Sequence, residues 1–96
     1  MSVKVASLIW DLRGMTPMQK LVLVKLADHA SDNGENVFPR QKTVAADCEC
    51  SVKTVQRVIA WAIEQGWLAE DVGPKNIARR YTFNVGAMRL GVAATG

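Results

Sequence analysis

The chain is poor in side chains that do chemistry. It has one histidine, His29, and two cysteines, Cys48 and Cys50, in 96 residues. A zinc site normally needs four ligands, and His29 lies far upstream of the thiols. The one-residue gap between the cysteines is also wrong for a redox Cys-x-x-Cys pair. Both therefore read as small apolar spacers, and neither a metal nor a cofactor is expected. There is no paired-carboxylate spacing and no Gly-rich phosphate loop. No nucleophile, base and orienter can be assembled, so the chain does not read as an enzyme. His29 reads as a partner for a helix C-terminal dipole. No apolar run approaches the ~20 residues of a membrane helix. The opening MSVKVASLIWDL has one Lys and an Asp in its apolar patch. That makes a poor signal peptide, so the expected location is cytoplasmic.

Acid is missing from the last quarter. After Asp71 there is none, while Lys75, Arg79, Arg80 and Arg89 follow. In residues 1–36, Lys4, Arg13, Lys20 and Lys25 balance Asp11, Asp28, Asp32 and Glu35, so the net charge of +3 falls in residues 37–96. Net charge alone supports nucleic-acid binding only weakly. A basic stretch that follows a DNA-binding motif is a stronger sign. Apolar residues make up 49% of the chain, enough for the packed core of one small domain.

Residues 3–12 have mixed periodicity. Lys4, Ser7 and Asp11 fit one face of a short helix, while Val3, Val5 and the run from Leu8 fit a strand. Residues 13–15 break the pattern. Thr16-Pro17-Met18-Gln19 starts a helix, with Thr16 as N-cap, Pro17 at the first position and Gln19 completing a capping box. Leu21, Val22, Val24, Leu26 and Ala27 are its expected buried side, and it should end near Ala30. The loop that follows uses Gly34 for positive φ. Val37-Phe38-Pro39 reads as a short extended segment. A helix from about Arg40 to Asp47 comes next, then one from about Val52 to Gln65, which Gly66 stops. Val55, Ile59, Ala62 and Ile63 trace the buried stripe of the latter. Residues 67–70 and 79–85 read as two strands of a hairpin. The second alternates, with Tyr81, Phe83 and Val85 on one face and Arg80, Thr82 and Asn84 on the other. Trp10 and Trp67 read as core. Trp61 reads as a cap on the core or as an exposed contact of a homodimer.

Residues 41–60, QKTVAADCECSVKTVQRVIA, carry the most specific pattern. Val44, Ala45, Cys48, Cys50, Val55 and Val58 fall where two crossing helices need buried side chains. Ala45 is small at the closest approach, and Ser51 can cap the second helix. Between them lie Lys53, Thr54, Gln56 and Arg57, residue types that bond base edges or phosphates.

Taken with the T-P-M-Q-K run from Thr16, the D-N-G loop at Asp32–Gly34, F-P-R-Q at Phe38–Gln41, S-V-K-T-V-Q-R at Ser51–Arg57, E-Q-G-W-L at Glu64–Leu68 and R-Y-T-F at Arg80–Phe83, this stretch resembles a known family. It is similar to the winged helix-turn-helix domain of phage and plasmid proteins, including replication initiators and small regulators. The resemblance runs from Met15 to Val85. It implies an α+β fold, mainly α with a small β-hairpin: a three-helix core plus a wing. It divides the chain into an N-terminal arm or short helix on the core (residues 1–14), the winged domain (15–86) and a flexible tail (87–96). Glu49 departs from the pattern, because the family usually has Gly in that turn. Glu49 must adopt the left-handed conformation at some cost or bend the turn differently.

The implied partner is double-stranded DNA, with no membrane and no small-molecule ligand. The expected contacts are Gln41, Lys42, Ser51, Lys53, Thr54, Gln56 and Arg57 from the helices, and Lys75, Asn76, Arg79 and Arg80 from the wing. Because Arg79 and Arg80 alternate, only one of them can share a face with Lys75. The expected role is a sequence-specific transcriptional regulator of a mobile element. One alternative is the origin-binding domain of a replication initiator. Another, of a different class, is a protein-binding winged-helix adaptor.

Overall fold

A computed structural model describes residues 3–31, 33–35, 37, 40–71 and 80–95. Over residues 3–12 the helical alternative holds: α1 spans Val3–Asp11. Val5, Ile9 and Leu12 recur at helical spacing and are buried, whereas Lys4, Ser7 and Asp11 are exposed. That stripe turns Trp10 outward. Its ring is 53% exposed rather than part of the core. The C-terminal carbonyls of α1 are held from outside the helix. Lys20 Nζ donates to Trp10 O at 3.0 Å and to Leu12 O at 2.8 Å. Arg13 reaches the same two oxygens at 2.8 and 3.2 Å. Two cations thus satisfy carbonyls that a helix end leaves without partners.

The second helix, α2, spans Pro17–Ala27. Its capping box is complete: Gln19 N donates to Thr16 Oγ1 and Thr16 N to Gln19 Oε1. The helix stops earlier than Ala30, because residues 28–30 tighten to i→i−3 bonds onto Lys25, Leu26 and Ala27. Leu23 is buried and Leu21 is exposed, which corrects the expectation for Leu21. In an unbroken LVLV run, composition says nothing about which side faces in.

Helices α3 (Gln41–Asp47) and α4 (Val52–Glu64) follow. Strands β1 (Leu68–Asp71) and β2 (Arg80–Phe83) pair antiparallel, Leu68 opposite Phe83 and Asp71 opposite Arg80. Tyr81 and Phe83 are the inward pair. Val37 adds a bridge on the other edge of β2: Val37 N donates to Tyr81 O at 3.0 Å, and Tyr81 N to Val37 O at 2.8 Å. Just before it, Phe83 N donates to Gly34 O at 2.8 Å. Gly34 has φ 88°, and a Cβ there would lie 2.6 Å from Phe83 O. Only glycine fits this approach.

The chain does not fray after Val85, as the small Gly/Ala-rich tail suggested. It forms α5, Val85–Thr95. Asn84, expected to be the end of a strand, starts this helix by accepting from Ala87 N on Oδ1 at 3.1 Å. Met88 is 1% exposed and anchors the helix in the core. At Gly91 a Cβ would come within 3.0 Å of Leu12 Cδ2, so the missing side chain lets α5 close on the end of α1. The described residues therefore hold five helices and a two-stranded hairpin: α2, α3, α4 and the hairpin match the expected three-helix core with its β-hairpin, and α1 and α5 add to it. This α+β arrangement is consistent with a winged helix-turn-helix fold. Among the described residues, no helix is long and apolar enough to cross a membrane.

Candidate nucleic-acid interface

The α3–turn–α4 unit is built from local chemistry. At the end of α3, Cys50 N donates to Ala45 O at 2.9 Å and Glu49 N to Ala46 O at 3.2 Å. Those two bonds make a Schellman ending, which needs a left-handed residue just past the cap. Glu49 fills that place with φ 54° and pays the strain of having a Cβ there. Ser51 then restarts the chain as the cap of α4: its Oγ accepts from Thr54 N at 3.1 Å.

Packing fixes which side of α4 faces out. Val55, Val58, Ile59 and Ala62 are buried. Lys53, Gln56, Arg57 and Ala60 repeat the same spacing two residues earlier and are all exposed. Two residues are ~200° around a helix, so the two stripes lie on opposite sides. Ile63 is 38% exposed and does not belong to the buried stripe as expected. The first turns of the outer stripe bear no acid, and Glu64 closes it at the far end. Lys42 and Ser51 are exposed, whereas Gln41 and Thr54 are half-buried. Thr54 is occupied locally, with its Oγ1 3.0 Å from Ser51 Oγ. Gln56 Nε2 donates to Gln41 Oε1 at 3.1 Å, joining α4 to the start of α3. Arg40, the exposed N-cap of α3, is a cation absent from the expected contacts. The only sequence signal for it is a basic residue beside the helix start.

Contacts from α2 support the unit from behind. Lys25 Nζ lies 2.8 Å from Asp47 Oδ2, and this bond holds the ammonium above its ordinary pKa. Cys48 donates through sulfur to Leu21 O at 3.9 Å, and burial pushes its thiol pKa up. Cys48 is buried as expected, but Cys50 only partly, since it sits in the turn itself. Trp61 and Trp67 meet edge to face, centroids 5.5 Å apart, both half-buried against the core. Trp67 is thus less enclosed than expected.

On the hairpin, Arg80 is exposed but not isolated. Its Nε lies 3.4 Å from Asp71 Oδ2, and Thr82 Oγ1 donates to the same carboxylate. Asp71 thereby offsets part of the charge expected to face a duplex. Lys75, Asn76 and Arg79 lie outside the described residues.

A family model described as a helix-turn-helix domain matches residues 13–68, more than half of the chain. The chain belongs to this helix-turn-helix family. Membership suggests DNA as the partner, and such domains are typically non-enzymatic. The match covers α2, α3, α4 and the first residue of β1. Helix α1, the rest of the hairpin and α5 are what this helix-turn-helix protein carries beyond it. No curated protein and no solved structure matches the chain.

Proposed function

We propose that the protein binds double-stranded DNA at specific sequences. Helix α4 enters the major groove, α3 crosses the backbone behind it, and the hairpin lies beside the adjacent groove. One observation carries this reading. Lys53, Gln56 and Arg57 form an exposed, acid-free stripe at the N-terminal half of α4, directly opposite its buried stripe. The N-terminal half is where a recognition helix meets base edges. Lys42, Ser51 and Thr54 flank that stripe as phosphate contacts, and Lys75, Asn76 and one of Arg79 and Arg80 add theirs. The role that fits best is a transcriptional regulator of a phage or plasmid, acting in the cytoplasm. Origin recognition in a replication initiator would use the same surface. A protein-binding adaptor would use the same helix face or the Trp61 surface, and the Trp61 ring meets Trp67 edge to face.

The test is affinity for duplex DNA across a salt series, on a site selected from random sequence and on unrelated duplex. Binding should weaken steeply with salt, with log–log slope of ~0.9 per neutralised phosphate. Arg57→Ala should lose ~1–3 kcal/mol of preference for the selected site. Affinity that ignores salt, or an Arg57→Ala variant with unchanged preference, would refute the proposal.

A further inference from the structure

Gln56 does not present its amide alone. We propose that Gln41 is a positioning residue that fixes the Gln56 amide for adenine; the idea rests on the DNA-binding reading above. A glutamine amide has two N–H donors and an oxygen that accepts. In this structure one N–H of Gln56 is spent on Gln41 Oε1, at 3.1 Å. What remains is the other N–H and the oxygen, on a residue exposed on α4; when Gln41 takes the N–H trans to the oxygen, those two lie side by side. Adenine offers the complement on its major-groove edge: N7 accepts and the N6 amino group donates. Guanine offers two acceptors there, N7 and O6, and leaves the amide oxygen facing an acceptor.

The bond to Gln41 also blocks the wrong orientation. Turning the Gln56 amide over would set its oxygen against Gln41 Oε1, two acceptors face to face. Gln41 would have to turn as well, and a phosphate prevents that. A phosphate accepts only, so beside α3 it takes the Gln41 N–H groups and leaves Oε1 for Gln56. The backbone contact and the base contact become one chain: phosphate, Gln41, Gln56, adenine. Gln41 therefore carries sequence information without touching a base.

The experiment is selection from a randomised duplex library with the full chain, followed by affinity measurements on single-base variants of the winner. Gln56→Ala identifies the position that Gln56 reads, by levelling an adenine preference of roughly fivefold or more. Gln41→Met cannot accept the bond. It should lower the preference at that same position roughly threefold or more and leave the other positions unchanged. Gln41→Glu can accept it and should keep the adenine preference while overall affinity falls, because the phosphate loses its donor. A Gln41→Met profile identical to wild type at that position would overturn the proposal, as would an equal loss at every position. If the wild-type chain enriches no sequence, the DNA-binding reading fails and takes this one with it. Enrichment with an unaltered Gln41→Met profile removes only the positioning role.

Discussion

Replacing Glu49 by glycine should make the protein more stable. Glu49 has φ 54°, in the left-handed region, at the position past the cap of α3. Both Schellman bonds depend on that conformation. A residue with a Cβ pays about 1–2 kcal/mol there, and glycine does not. Glycine loses more freedom on folding, which returns about 0.5–1 kcal/mol. The central values leave a net gain of about 0.75 kcal/mol, or a rise in Tm of roughly 3–6 °C for a domain this small. Glu49→Ala is the control. It removes the carboxylate and keeps the Cβ, so it should show no comparable gain. The carboxylate also sits exposed in the turn between the two helices. If that turn approaches phosphate, both variants should bind duplex more tightly, and to the same degree. Thermal melts read the first effect and titration the second. A Glu49→Gly variant that melts no higher than Glu49→Ala would refute the strain argument, whatever the DNA result.

Two further outcomes follow from contacts behind the interface. Lys20→Met keeps the aliphatic stem and removes the ammonium that bonds Trp10 O and Leu12 O. It should cost about 1 kcal/mol in chemical denaturation, because Arg13 still reaches both carbonyls, and the Arg13→Met/Lys20→Met pair should cost more than the sum; additive losses would show that the two cations act separately. Stability should also fall at high pH. Cys48 and Lys25 both bind a proton more tightly folded than unfolded, so their contributions are whole below the ordinary values of 9.0 and 10.5 and are lost as pH rises through the raised ones. Cys48→Ala should flatten the first part of that decline, and an unchanged profile from pH 9 upward would rule the thiol out.

What could be read in the sequence was what local chemistry decides. Thr16, Pro17 and Gln19 act within one turn, and so do Ser51 and Thr54, so both helix starts were legible. For Glu49 the resemblance left two choices, a left-handed residue or a differently bent turn, and the structure takes the first. The misses have a different physical character. Among the described residues, Met88 is the large fully buried side chain of α5, and Gly86 and Gly91 argue against a helix by propensity alone. Packing decides there: Gly91 is small because Leu12 is close. Trp10 misled for the converse reason, since Ile9 and Leu12 already occupied the inner side of α1. The Gln41–Gln56 bond spans fifteen residues and exists only once α3 and α4 have crossed. No periodicity within either helix announces it.

The hairpin root is gripped from both edges. On one side β2 pairs with β1, and on the other it is bonded to Val37 and Gly34 from the segment that leads into α3. The angle between α4 and the hairpin is therefore set before any partner arrives. If α4 and the hairpin meet one duplex as proposed, the duplex would have to adjust to that angle. Sequences whose groove already has the right width and curvature would be accepted at little cost, and stiffer ones would be charged for bending. Discrimination of that sort needs no side chain in contact with the base pairs it rejects. It would trace back to Gly34, a glycine in a loop and not one of the residues proposed to contact DNA.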